Sequence, residues 1–522
     1  MRCEETFVFF FGLSVVGSNI MMLLERLVVV VAVLGVGCLG VWDLEEVNPL
    51  VIEAQYAVRG AILARAQEIE KELKEPSLAS KWPFTRVVRC NIGNPQALGQ
   101  LPPAFARQVL SLVMNPSLMT SAAASFDPEA LSRAEKYLEA TTGGVGAYSD
   151  SKGIALVREE VAKFIELRDG FPADPEMIFL TDGASAGVRH VTQALIRKPS
   201  DAILTPFPQY PLYSALTTLS NGSLAPYYLD EVDDWGVALG ELERAYAEAV
   251  TQGKTPRALV VINPGNPTGA LLDATLLGKI VDFARKYDLV LLADEVYQEN
   301  VYGAAGHGFI SLKKILRQKA YTDVSLVSFH SISKGVSGEC GIRGGYLELV
   351  NVPDTVVDQL VKLASISLCS NVPGQIGVGL MVNPPSATSE AGQRDLKDKA
   401  KKMESLEKRS LRIATALDAL PGVTCAPAEG ALYLFPNVLL PPKAVEAAAT
   451  KNIAPDALYS LSLLEATGLV VVPGSGFGQK NGTFHFRTTF LPQADEIDSV
   501  LKRLADFHNN FLATYASPSA EL

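Results

Sequence analysis

The sequence predicts an α/β protein: a mostly parallel central sheet with helices on both faces, joined to a smaller α+β domain. Three observations predict it. Apolar, β-branched runs recur as EMIFLTDGA, DAILTPFPQY, RALVVINPGNPTG, LVLLADEVY and VSLVSFHSISK, each ending in polar or turn-forming residues. Amphipathic stretches such as SAGVRHVTQALIRK and LLDATLLGKIVDFARKY lie between them. Runs apolar on both sides, alternating with amphipathic helices, are the pattern of parallel strands covered on both faces. Near Glu390 the composition shifts to one long charged amphipathic helix, AGQRDLKDKAKKMESLEKRSLRIATALDAL, which marks the crossing into a second domain.

Taken in order, the chain opens on an apolar run from Phe7 to Leu24, broken by Glu25 and Arg26 and resumed from Leu27 to Trp42. Each block is short for a bilayer span, which needs about 20 residues. A signal anchor, a cleaved targeting segment and a misassigned start all fit. An Arg- and Ser-rich, acid-poor mitochondrial leader does not, given Glu4 and Glu5. Any membrane contact is expected only through residues 7–42, with the rest cytoplasmic by default. Val47 to Leu73 reads as one helix. Pro76 to Pro83 breaks it, RVVRCNIGNPQ reads as a short strand and turn, and PPAFARQVLSLVMN as a helix. The expected domains are residues 1–44 (apolar segment), 45–125 (an arm and part of the small domain), 126–388 (large domain) and 389–522 (small domain). PPKAVEAAATKNIAP reads as a mobile insertion within the last.

The 522 residues are 48% hydrophobic and 20% charged, enough for a large core. The formal net charge of −11 argues against nucleic acid as a partner, since phosphate backbones need a concentrated basic patch. It does not argue against small anionic substrates, which one buried Arg can bind. The six Cys form no C-x-x-C pair and no Cys/His cluster has zinc spacing, so free thiols and no metal are expected.

In open parallel sheets, ligands bind beyond the carboxyl ends of the strands. Four strands end there in the TDGAS turn, Asn266, Asp294 and Lys334, and their convergence is the main pointer to chemistry. A Lys ending a buried strand can be left as a neutral nucleophile, able to form a Schiff base with an aldehyde; alone, S-K-G is an ordinary solvated loop. Asp294 can hold a pyridinium nitrogen protonated, or merely cap a helix. Tyr297 can donate to a ring oxygen, or only pack. In NPGNPTG, two Asn and two Pro make a rigid turn from which Asn266 can offer its amide. Gly183, Ala184 and Ser185 stand at a helix N-terminus suited to an anion. Ser331 and Arg343 flank the lysine, and Arg343 can grip a phosphate with two donors. Tyr210 offers a platform for a flat ring, or a core aromatic. Arg487 stands alone in an apolar run and needs an anion, either a substrate carboxylate or a structural acid. VPGSGFG, just before it, shapes a pocket mouth.

NPGNPTG, ADEVY, HSISKG with GECGIRGGY, PQYPLY, TDGAS and HFRTTFLP, in this arrangement, resemble the alanine aminotransferase family of fold type I pyridoxal-phosphate (PLP) enzymes; GECGIRGGY and NIGNPQALGQ narrow the match to its alanine/glyoxylate group. The resemblance covers roughly residues 45–515. It implies PLP bound as a Schiff base on Lys334, which also shuttles the proton. Asp294 would hold the ring nitrogen, and Asn266 and Tyr297 the ring oxygen. Ser331, Arg343 and the Gly183–Ser185 turn would hold the phosphate, with Tyr210 stacked on the ring. Arg487 would bind the substrate carboxylate, with the Gly93 backbone nearby. Tyr148 would reach the phosphate of a neighbouring subunit in a homodimer. The implied reaction is ping-pong transamination of L-alanine with 2-oxoglutarate to pyruvate and L-glutamate. Glyoxylate as acceptor, or a PLP lyase on the same scaffold, remain alternatives. The apolar N-terminus is no feature of that family.

Overall fold

A computed structural model describes residues 42, 44–56, 60–303 and 306–516, so the apolar stretch before Trp42 lies outside the described residues. Met1–Ile52 and Glu53–Leu522 form separate units. The helix expected over Val47–Leu73 is instead two, Pro49–Glu53 and Ala61–Glu72. The second starts at Gly60, whose backbone is extended, and glycine is a poor helix former.

Strand β1, Val88–Arg89, pairs in parallel with Leu469–Val470. The central sheet has seven strands: β2 (Ile178–Thr181), β3 (Asp201–Phe207), β4 (Ser223–Tyr228), β5 (Thr255–Ile262), β6 (Val290–Asp294), β7 (Leu326–Ser331) and β8 (Gly345–Val350). Their order is β2-β8-β7-β6-β5-β3-β4. All pairings are parallel except those of β8, which runs against both its neighbours. The chain after β7 turns straight back without a helix, Ser331 lying opposite Gly345, and so cannot make the crossover a parallel pair requires. That returning loop carries Lys334.

Period-two alternation makes the sheet a partition between two cores. On β5, Ala258 and Val260 face one side with Leu292, Phe329 and Val188; Leu259 and Val261 face the other with Leu291, Leu326 and Ile280. Each such fully buried Val, Leu or Ile contributes about 1.5–3 kcal/mol relative to exposure. The same alternation puts Asp294 on the Leu292 side of β6. Helices fill the crossovers where the sequence places them. Ala274–Lys286, for example, is capped by the Asp273 carboxylate accepting from Leu276 N at 2.7 Å and ends on Arg285 and Lys286.

Beyond the long helix Glu390–Asp418, Phe486–Thr489 pairs antiparallel with Tyr433–Leu434 and with Val472–Pro473. The core beneath them joins Leu406, Ile413, Phe486 and Phe490 to Val296 and Tyr297 from the loop after β6. The segment read as a mobile insertion is a packed helix, Pro442–Thr450, with Ala444 and Ala448 buried. Its small side chains at i and i+4 form a face that sequence composition disguises as a linker. No described helix is long and apolar enough to cross a membrane.

Candidate active site

Because β2, β3, β5, β6 and β7 are parallel, their carboxyl ends share one edge of the sheet, and Asn263 N donates to the Asp294 carbonyl across it at 3.0 Å. Lys334 stands in the loop after β7. This loop is clamped by Gly335 N donating to Asn300 Oδ1 at 2.9 Å and by Arg107 gripping Glu339 through two bonds of 2.7 and 2.8 Å. The Lys334 ammonium donates to the Gly93 carbonyl at 3.0 Å and lies 5.6 Å from the Tyr297 ring centre. No carboxylate of the described residues forms an ion pair with it.

Asp294 is buried. Its Oδ2 accepts from the Tyr213 hydroxyl at 3.0 Å, while its buried Oδ1 has no partner. Burial pushes its carboxyl up to about 6, with the Tyr213 hydrogen bond and the Lys334 charge offsetting part of that push. A carboxylate oxygen kept dry and unpaired costs free energy, so this position favours a ligand that brings an N–H.

Arg487 is 1% exposed, and no acid of the described residues pairs with it. Its Nη1 donates to Asn266 Oδ1 at 2.9 Å, its Nη2 to the Asn91 carbonyl, and its Nε has no partner. The guanidinium lies over the ring of Tyr433, at 4.2 Å, and over that of Phe477, at 4.7 Å. Phe477 belongs to the glycine loop 472–478, anchored where its carbonyl accepts from Gln209 N at 2.8 Å. The structural acid that sequence reasoning kept open as Arg487's partner is therefore not present among the described residues. With its Oδ1 taken by Arg487, Asn266 keeps its amide nitrogen for another acceptor.

At the sheet's other corner, Gly183 has φ +74°, and a side chain there would collide with the Arg343 guanidinium. Glycine is required for that approach. It begins the helix Ala184–Leu195, whose first amides have the unpaired N–H groups of any helix start. Arg343 donates to the carbonyls of Cys340 at 2.9 Å and Asp182 at 3.0 Å, and more weakly to Ser333 Oγ at 3.4 Å; among the described residues it pairs with no acid. Ser331 Oγ donates its one proton to the Gly344 carbonyl at 3.0 Å and can accept from the Ser333 hydroxyl at 3.0 Å. Arg343, the helix start and this serine pair thus gather donors in one corner suited to an anion. Cys340 Sγ donates to the Ser333 carbonyl at 3.0 Å. His330 packs edge-on against Tyr346, and burial pulls its imidazole down to about 3, so it stays neutral.

Two phenols meet between the lysine and the arginine. Tyr297 donates to the Tyr433 hydroxyl at 2.9 Å. Burial disfavours ionising both; it raises Tyr297, but the Lys334 and Arg487 charges and the Tyr297 hydrogen bond outweigh it at Tyr433 and hold that phenol below its ordinary range. Tyr210 borders the crevice and hydrogen-bonds the Tyr56 hydroxyl at 2.6 Å. Tyr148 is the exception: it is 76% exposed, and no hydrogen bond or ring contact among the described residues ties it to this crevice. Sequence reasoning missed Tyr213, Ser333, Phe477 and Tyr433. Each looks like ordinary packing until the fold brings it opposite a charge. The one available hint was Tyr213, three residues after Tyr210 and so on the same side of a helical turn. Among the described residues no group of His, Cys, Asp or Glu could hold a metal ion.

The family model for aminotransferase class I and II matches residues 114–504. A probable mitochondrial alanine aminotransferase of Dictyostelium discoideum is 52% identical over 468 residues, covering 88% of each chain. Glutamate–glyoxylate aminotransferase 2 of Arabidopsis thaliana is 46% identical, covering 91% of this chain and 97% of that one. The crystal structure of an aminotransferase from Escherichia coli superimposes with a TM-score of 0.69 at 26% identity, over 89% of this chain and 98% of that one.

Proposed function

Since the chain belongs to the alanine aminotransferase family within the class I and II aminotransferases, we propose that it transfers the amino group of L-alanine to 2-oxoglutarate, giving pyruvate and L-glutamate. One observation carries this reading: a buried Arg487 without an acid partner faces the same crevice as the free Lys334 amine. Such a pair suits a substrate bearing a carboxylate beside the carbon that must lose a proton.

The family depends in general on pyridoxal 5′-phosphate, which supplies a carbonyl for the substrate's amino group and a ring that accepts an electron pair. The residues present fit that group. Asp294 Oδ1, buried and unpaired, suits the protonated ring nitrogen. Asn266 Nδ2 and the Tyr297 hydroxyl suit the ring oxygen, and Tyr210 a ring face. The Gly183–Ser185 turn, Ser331 and Arg343 suit the phosphate. Arg487 fixes the substrate carboxylate, so the Cα–H bond is presented to Lys334 Nζ. That amine takes the proton as general base and returns it as general acid. Glu or 2-oxoglutarate bears the same α-carboxylate group, so one arginine serves both halves of the ping-pong cycle. Tyr148, exposed and outside its own crevice, fits a role in a second copy's phosphate site, and we infer a homodimer. The Dictyostelium relative is named as mitochondrial, which supports reading the N-terminal segment as a targeting segment.

Incubated with L-alanine and no acceptor, the protein is expected to release about one pyruvate per subunit and stop, then resume when 2-oxoglutarate is added. No pyruvate from L-alanine, with continuous pyruvate and ammonia from an amino acid that carries a β leaving group such as L-cysteine, would instead mean a lyase. Faster resumption with glyoxylate would favour the activity named for the Arabidopsis relative. Arg487→Lys keeps the charge but loses the planar two-donor grip. It should raise KM for L-alanine and 2-oxoglutarate alike by roughly 10–100-fold, the scale of a charged, bidentate hydrogen bond. A KM unchanged for both would remove Arg487 from the carboxylate site.

A further inference from the structure

We propose that Tyr433 is a positioning residue with two separable tasks: its ring orients the Arg487 guanidinium, and its hydroxyl orients the Lys334 amine. The inference rests on the reading of Lys334 as proton carrier and Arg487 as carboxylate site. Tyr433 is buried in the short strand paired with the one that bears Arg487. Its ring centre is 4.2 Å from Arg487 Cζ, nearer than the Phe477 ring at 4.7 Å. Its hydroxyl accepts from Tyr297 at 2.9 Å. A Cβ built onto Gly93 would stand 2.5 Å from that hydroxyl and 3.2 Å from Lys334 Nζ, so both polar atoms crowd the same point above the Gly93 backbone. The Lys334 amine donates to the Gly93 carbonyl at 3.0 Å and also interacts with the Tyr433 phenol.

The groups facing the Tyr433 phenol are Lys334 in the loop after β7, Arg487 on the paired strand, Tyr297 after β6 and Tyr210 after β3. Two are cations, which stabilise the ionised phenol. One side chain therefore couples the atom that moves the proton to the cation that fixes the substrate, and its hydroxyl and ring can be removed one at a time.

The test compares Tyr433→Phe and Tyr433→Leu in the full-length holoenzyme, with melting temperature as the folding control. Tyr433→Phe keeps the ring. It should lower kcat for the alanine half-reaction about 10-fold, the scale of one lost hydrogen bond, with KM for L-alanine within about twofold. It should also shift the alkaline limb of the kcat pH profile, because the phenol that ionises there is gone. Tyr433→Leu also loses the cation–π contact and should raise KM about 10-fold further. A third measurement needs no turnover: in protein stripped of cofactor, the rate at which an amine-acylating reagent labels Lys334, read by peptide mass, should change in both variants. Tyr433→Phe indistinguishable from the parent in kcat, pH profile and labelling overturns the assignment, and this variant alone decides if Tyr433→Leu does not fold. Equal KM values in the two variants overturn the ring's task. If instead Lys334→Ala still transaminates, it is the underlying functional reading that fails.

Discussion

Lys334→Ala is expected to lower kcat for transamination by at least roughly 10⁴-fold, the upper range for removing a positioned general base. The amine has no stand-in. Burial raises the Tyr297 phenol, and the Tyr433 phenol, though held below its ordinary range, is engaged by the Tyr297 hydroxyl at 2.9 Å, so neither replaces the amine as the group that takes the Cα proton and hands it back. The fold should survive, because the side chain's polar contacts are the Gly93 carbonyl at 3.0 Å and the Tyr433 phenol, with no ion pair among the described residues. Borohydride reduction should fix a pyridoxyl group on the peptide bearing residue 334 in the parent protein and on none in the variant. A label found on another lysine would move the reactive amine elsewhere and sink the assignment.

Asp294→Asn should show opposite signs in activity and stability. Transamination should fall roughly 10³-fold, the scale of removing one preorganised electrostatic partner from a dry site. The cofactor-free variant should nevertheless be the more stable protein at neutral pH. Burial raises the Asp294 carboxyl from 3.8 to about 6, so between those values the folded state binds more protons than the unfolded one. Stability then falls as pH rises through that window, and the loss is complete above it, amounting to something on the order of 3 kcal/mol. Asparagine does not ionise and escapes the loss. Melting curves of the two cofactor-free proteins should coincide near pH 4 and separate by pH 7.5, with the variant higher. Adding pyridoxal phosphate should stabilise the parent more than the variant, since a carboxylate forms an ion pair with a ring N–H⁺ and a neutral amide offers only a hydrogen-bond acceptor. A parent that melts higher than the variant at pH 7.5 without cofactor would contradict the unpaired, dry environment of Oδ1.

The residues that end strands were legible because β-propensity and period two place them without reference to anything distant. Asp294 follows LVLLA, and Lys334 follows SLVSFHSIS; once those runs are strands of one parallel sheet, their ends must share an edge. The helix start at Gly183 was legible for the same reason, as a local turn after a local strand. Direction was not. The reversal of β8 depends on a loop returning without a helix, and apolar periodicity reads the same in either direction. The packed helix Pro442–Thr450 was misjudged because alanine-rich sequence is equally apt for a buried small-residue face and for a linker.

The sequence by itself determined the architecture and the ionic skeleton of the crevice: a lysine, a carboxylate and a turn suited to an anion, each following a strand that local chemistry specifies, and an arginine within a short, otherwise uncharged strand. Only the tertiary structure decided what surrounds them. Tyr213 reaches Asp294 across 81 residues, Tyr433 reaches Tyr297 across 136, and Asn266 meets Arg487 across 221. The physical reason is that a side chain's burial and its partners are properties of packed surfaces brought together from remote segments. Periodicity in the chain reports which face a residue takes, and is silent about what that face meets.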